Sequence, residues 1–243
     1  MDASRQLLLL GTTAFNPASI SGLFAWWSAD YGVYQDSALT TPSVSDGDPV
    51  GGWSDRSGNN RHLVQTVVAS KPTLKLTQYH GYPSVRFDGV DDYFLRDPFV
   101  LAQPFTAAFV VKVGGANQAV FDADGTGPGR VSVFTSSAPN ARYVYAFDGV
   151  GYPAISDGIF TTSLEVWTVV VNGASSAFYV NGTLETSGDL GTGGQNSITV
   201  GNAQGGTGRP LSGDICEGIF YSSALNAATL SGLNGYLRVK WGL

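Results

Sequence analysis

From residue 105 onward the chain runs in short stretches where apolar and polar residues alternate, each closed by turn-forming residues. These runs fall at 106–113, 118–122, 130–135, 142–148, 166–171, 176–181, 197–201 and 214–222. Asp124-Gly125, Gly127-Pro128-Gly129, Asp148-Gly149, Asn172-Gly173 and Asn181-Gly182 separate them. A two-residue period sends successive side chains to opposite faces of an extended chain, so each run predicts a strand. Asn181-Gly182 predicts a two-residue hairpin, because both residues accept the positive φ of a type I′ turn.

Composition agrees with an all-β chain. Charged residues make up 13% of the 243, about half the ~25% of an average domain. That is too few to furnish the wet faces of long amphipathic helices. The 32 glycines and 11 prolines supply turns instead. One helical signal stands near the end: Asn226 can cap a short helix with Leu230, Leu233 and Leu237 at helical spacing, weakened by Gly232 and Gly235. Residues 23–30 predict a strand with aromatics on both faces, and residues 31–52 a polar, turn-rich stretch.

Several function classes are excluded. One Cys forms no internal disulfide, and one Cys with two His builds no zinc cluster. A net charge of −6 opposes nucleic-acid binding. No apolar run approaches the ~18–20 residues of a membrane span. Leu7, Leu8, Leu9 and Leu10 are too short a run for a secretory leader, and Asp2 accompanies Arg5 before them. Residues 1–20 therefore predict a docking arm, with these leucines and Phe15 as its contacts to a protein assembly or to the chain's own domain. Residues 21–243 are expected to form one domain.

Four segments carry a family resemblance: Trp26-Trp27-Ser28-Ala29-Asp30; Trp53-Ser54-Asp55-Arg56-Ser57-Gly58-Asn59-Asn60-Arg61-His62; the stretch from Tyr82 to Tyr93 around Phe87-Asp88-Gly89-Val90-Asp91-Asp92; and Tyr179-Val180-Asn181-Gly182 with the chain end from Gly213 to Leu243. In this order they resemble the concanavalin A-like lectin/glucanase superfamily. Within it they resemble the laminin-G-like domains of phage virion and bacterial surface proteins. The resemblance implies a jelly-roll β-sandwich of two antiparallel sheets, here with an N-terminal arm and a C-terminal helix. It implies less about function, because this fold hosts lectins, hydrolases, adhesion modules and virion components.

Glycoside hydrolysis needs two carboxylates facing one cleft. The laminarinase-like members carry Glu-x-Asp-x-Glu on a strand; this chain has three Glu, at 165, 185 and 217, none so arranged. Cys216 lies in a predicted strand and reads as a small buried hydrophobe. His62 and His80 lie in turn-rich regions with no base–orienter spacing. Gly205-Gly206-Thr207-Gly208 lacks the Lys-Ser/Thr of a phosphate loop. The expectation is therefore a non-enzymatic protein.

No cofactor is required; the loops offer the oxygen donors calcium takes, with Asp88, Asp91, Asp122 and Asp124 as candidate ligands. Asp46-Gly47-Asp48 is a further acidic turn, and the twelfth position of an EF-hand-like count from Asp122 is Val133, not Glu. Asp91 and Asp92 are adjacent, so in extended chain only one of them joins a given site. The turn chemistry of Asp55–Asn60 and Asp88–Asp92 also serves to hold the fold. Sugar binding would use outward rings; Tyr143, Tyr145 and Tyr152, with Asp148 beside them, are the candidates, and Trp167 is a further ring on a predicted strand. The chain is expected to be a virion component, a capsid decoration or tail protein, whose lectin-like domain attaches to surface glycans. The alternative is a secreted or cell-surface carbohydrate-binding module, calcium-assisted.

Overall fold

The computed structural model describes residues 15–137 and 140–243. The arm leucines at 7–10 lie outside the described residues. Two antiparallel sheets face each other. The first runs Thr183–Gly188, Ser176–Val180, Leu164–Val171, Phe105–Val113, Ser212–Tyr221, Tyr82–Asp88 and Thr73–Tyr79, and Leu23–Ser28 also pairs with Ser212–Tyr221. The second runs Ala154–Ser156, Asn140–Phe147, Arg130–Ser137, Ala119–Asp122, Ile198–Val200, Phe94–Arg96, Leu63–Val64, Gly52–Trp53 and Val33–Tyr34. Sequential strands often sit in opposite sheets, as in a jelly roll.

The core lies where the sheets meet. Phe109 of the first stacks on Phe121 of the second, ring centroids 5.3 Å apart. The Phe220 ring contacts both, along with Phe99, Phe105 and Trp27. Register sets who faces in: Trp167 pairs with Phe109, and Val169 with Ala107. Trp167 is accordingly buried, its indole N–H donating to Glu165 at 2.7 Å, and is no surface platform.

Each strand predicted from residue 105 onward is present. The Asn181-Gly182 turn has φ of 50° and 84°, as its hairpin requires. Thr73–Tyr79, Ala154–Ser156 and the two-residue strands at 33–34, 52–53 and 63–64 were not predicted. Two residues are too few to show a period, and these lie in or next to the stretch that reads as turns.

The helix Ala227–Trp241 covers the outer side of the first sheet and is longer than its sequence signal. Asn226 caps it by accepting from Thr229 N at 3.0 Å. Gly232 has a packing reason: a Cβ there would lie 2.6 Å from the Phe15 ring. Phe15 packs on this helix, 6.0 Å from the Tyr236 ring, and Tyr221 donates to Pro17 O. The described end of the predicted docking arm is thus part of its own domain, because Phe15 finds an apolar seat there.

Glu217 fastens the helix to the sheet. It is fully buried, and its Oε1 accepts from Trp26 Nε1 at 2.7 Å and Tyr236 OH at 3.1 Å. Its Oε2 accepts from Trp241 Nε1 at 2.7 Å and faces Lys240 Nζ at 3.0 Å.

Candidate functional site

The stretch from Trp53 to His62 holds backbone rather than ligand. Buried Asp55 accepts from the N–H groups of Trp26, Ser57 and Arg61 at 2.8–3.0 Å, and from Ser57 Oγ at 2.8 Å. Its own N–H donates to His62 Nδ1 at 2.9 Å, and Asn59 donates to the carbonyls of Leu23 and Phe24. Cys216 is a bulge residue of Ser212–Tyr221, completely buried, and burial pushes its thiol pKa up.

The acidic stretch after Phe87 is different. Asp88, Asp91 and Asp92 bring carboxylate oxygens within 4.8 Å of one another. Adjacent Asp91 and Asp92 converge, contrary to the expectation that only one of them joins a site. That expectation assumed extended chain, whereas residues 89–91 bend, with Gly89 at φ 82°. Asp88 Oδ1 accepts from Val90 N, Asp92 Oδ2 from Asp88 N, and Asp91 Oδ2 from Ser70 Oγ. Burial, then the charges of Asp88 and Asp91, push the Asp92 pKa up to about 6. Hard oxygens on a bent loop are the donor type calcium takes. Asp122 and Asp124 are elsewhere: Asp122 grips Arg130, and Asp124 pairs with Ser197.

The predicted sugar-binding rings come together on the outer face of the second sheet. Alternation places Arg130, Ser132 and Phe134 on one face of their strand. The hairpin register sets Phe147, Tyr145 and Tyr143 directly opposite them. The result is a connected strip of rings. Tyr143 stacks on Phe134 at 5.5 Å, Tyr145 stands edge-on to Phe134 at 5.6 Å, and Tyr152 meets Tyr145 at 5.6 Å. Tyr152 also lies flat on Phe147 at 4.4 Å while remaining 56% exposed. Asp148 shapes the turn that returns Tyr152 to the strip: its Oδ1 accepts from Val150 N and Gly151 N, and these bonds lower its pKa.

Two arginines border the strip. Arg130 clasps the fully buried Asp122 through Nε at 2.6 Å and Nη2 at 2.5 Å, and lies 5.1 Å over the Tyr145 ring. Arg209 lies 3.8 Å over the Phe134 ring. The loop from Ala203 brings it there, passing through left-handed backbone at Gln204, Gly205 and Gly206. The Gln204 amide oxygen accepts from Arg130 Nη1 and Nη2 at 3.2 Å in the orientation that satisfies both groups. Arg130, Tyr145, Gln204 and Arg209 line a cleft of about 250 Å³. Burial pushes the Tyr145 hydroxyl up to about 12, so it stays protonated as a hydrogen-bonding group at neutral pH.

Sequence reasoning found three of these rings and missed Phe134, Phe147, Arg130, Gln204 and Arg209. Phe134 was accessible, since it shares strand parity with Arg130. Arg209 was not, since its place depends on a loop about 75 residues further along the chain than Phe134.

The model of the Laminin_G_3 family, described as concanavalin A-like lectin/glucanases superfamily, matches residues 88–231. No curated protein matches in sequence. Among solved structures, domain 4 of AbnA, a GH43 extracellular arabinanase from Geobacillus stearothermophilus in complex with arabinotriose, is similar at TM-score 0.61 and 16% identity. That match covers 87% of this chain and 98% of that one. The binding domain of botulinum neurotoxin serotype D is similar at TM-score 0.63 and 10% identity over 91% of this chain, which spans 54% of that one. The CBM40 of Ruminococcus gnavus IT-sialidase, bound to α2,3 sialyllactose, is similar at TM-score 0.51 and 12% identity. It covers 62% of this chain and 95% of that one.

Proposed function

This chain belongs to the concanavalin A-like lectin/glucanases superfamily, and from that premise we propose that it is a non-enzymatic carbohydrate-binding module. The observation that carries the proposal is the strip of Tyr143, Tyr145 and Tyr152 beside two arginines. Rings with exposed faces stack on the apolar faces of sugars, and guanidinium and hydroxyl groups beside them orient the hydroxyls. Neighbours of the same fold support it, since the arabinanase domain is in complex with arabinotriose and the CBM40 with α2,3 sialyllactose.

The glutamates argue for binding rather than hydrolysis. Glu165 pairs opposite Val111 and Glu217 opposite Val110, so the two project from opposite faces of one sheet. Each is consumed, Glu165 by Arg142 at 2.7 Å and Glu217 by the helix. Glu185 is exposed on an edge strand. No two glutamates share a cleft.

An extracellular or cell-surface place fits such a module, and no helix of the described residues is long and apolar enough to cross a membrane. The finer proposal is a phage virion carrier, with Leu7, Leu8, Leu9 and Leu10 as the docking contact. Removing residues 1–14 should then abolish assembly in sedimentation and spare glycan binding. Calcium at Asp88, Asp91 and Asp92 is proposed as an accessory ligand, which added calcium would reveal as a higher Tm that EDTA reverses.

The central test is a glycan array with calorimetry on hits. Tyr152→Ala should lower affinity at least about tenfold, the order expected for one lost stacking ring. Its Tm should fall by only a few degrees, because Tyr152 is 56% exposed and loses only its contacts with Phe147 and Tyr145. Failure of the intact chain to bind any glycan, with or without EDTA, overturns the proposal.

A further inference from the structure

We propose that the cleft beside the aromatic strip selects a sugar bearing a carboxylate, read by Arg209. The proposal rests on the glycan-binding function above and specifies its ligand.

The two arginines differ in what is left to bind. Arg130 has a carboxylate partner: its Nε and Nη2 meet both oxygens of Asp122, and Gln204 takes the outer edge. The carboxylate-facing edge of Arg130 is occupied and its charge neutralised. Arg209 has none. Its backbone N–H donates to Asn202 Oδ1, while its guanidinium makes no hydrogen bond or ion pair among the described residues. It lies half-buried, held over the Phe134 ring at 3.8 Å. A stacked guanidinium keeps its in-plane donors at its edges, where a planar carboxylate meets them in bidentate fashion. Phe134 fixes the plane in advance, so little side-chain freedom is lost on binding.

Local charge points the same way. Asp122 cancels Arg130, leaving Arg209 as an uncompensated positive charge on a chain of net charge −6. An acidic sugar, repelled by the net charge at long range, gains an ion pair there that a neutral sugar does not. The cleft, at about 250 Å³, falls below the ~300–1,000 Å³ of sites that engulf a drug-sized ligand. It suits one sugar unit, with neighbouring units lying over Tyr145 and Tyr152.

The test compares an oligogalacturonate with its methyl ester, which keeps the ring and hydroxyls and removes the charge. A sulfated oligosaccharide is a third arm. Calorimetry on the full chain should show the acid binding at least about tenfold tighter than the ester, with the gap shrinking as salt rises. Arg209→Gln should remove that preference, lowering affinity for the acid far more than for the ester, while Arg209→Lys should keep part of it. Equal binding of acid and ester, or binding of neutral glycans alone, overturns the carboxylate assignment and leaves the glycan-binding function standing. Recognition of the sulfated sugar alone also overturns it. Absence of binding to any glycan removes both.

Discussion

Glu217 offers the sharpest test of how this domain is held together. Glu217→Gln changes one oxygen to an NH2 and nothing in shape. The carboxylate accepts from Trp26 Nε1 and Tyr236 OH on one oxygen, and from Trp241 Nε1 with Lys240 Nζ on the other. Indole N–H and ammonium groups only donate. An amide NH2 on the Oε2 side therefore faces two obligate donors; on the Oε1 side it faces one, plus a hydroxyl that can turn. Either way one hydrogen bond to a charged acceptor is lost, about 1.5–3 kcal/mol. A buried donor is left unpaired for a further ~1–3 kcal/mol. The expected loss is about 3–5 kcal/mol, which for a domain of this size lowers Tm by roughly 6–20 °C.

Urea unfolding followed by tryptophan fluorescence gives the stability change directly, since Trp26 and Trp241 report on the site. The background Trp26→Phe sharpens the test. It removes the one obligate donor that the amide NH2 faces on the Oε1 side, so Glu217→Gln should cost about 1–2 kcal/mol less there than in the parent chain. A Glu217→Gln loss under ~1 kcal/mol, or a double-mutant cycle with no coupling, would refute the claim that the network is donor-saturated.

Asp92→Asn should stabilise the domain in EDTA buffer, by an amount that depends on pH. The Asp92 pKa is about 6 folded against 3.8 as the ordinary value, so the folded state holds its proton more tightly and stability falls as pH rises between the two. The variant, which has no charge to bury, should match the parent near pH 3.5 and exceed it above pH 6, by ~3 kcal/mol at most; thermal melts across that range showing no divergence would count against it. Gly232→Ala should destabilise the chain by displacing the Phe15 ring. In a Phe15→Ala background the same change should instead stabilise the helix by about 1 kcal/mol, read from denaturation midpoints.

What could be read in advance divides along physical lines. Alternation made the sheet-forming half after Phe105 legible, whereas Thr73–Tyr79, seven residues with apolar Leu74 and Leu76 alternating, was missed. Strands as short as Gly52–Trp53 carry no periodicity and gain their pairing from neighbours such as Leu63–Val64. At the candidate site, alternation nominated Tyr143 and Tyr145, but which face looks outward depends on where the other sheet packs. Trp167, equally aromatic and on an equally regular strand, faces the core. Asp91 and Asp92 show the cost of assuming an extended backbone beside a glycine. The family motif around Asp55 was readable as turn chemistry, and its hydrogen bonds to the strand Leu23–Ser28 agree with that.

The strand Ser212–Tyr221 carries a consequence for how the chain is made. It lies inside the first sheet, flanked on one side by Phe105–Val113 and on the other by Tyr82–Asp88 and Leu23–Ser28. Trp26 reaches Glu217 across 191 positions. At a synthesis rate of ~5–20 residues per second, the early strand waits roughly 10–40 seconds on the ribosome for its neighbour to appear. During that interval Phe24, Trp26 and Trp27 have no sheet to join. Phe99 and Arg61 can meet Phe24 and Trp27 earlier, but the strand gains its backbone partner only at the end, which leaves the nascent chain open to chaperones and to aggregation until then.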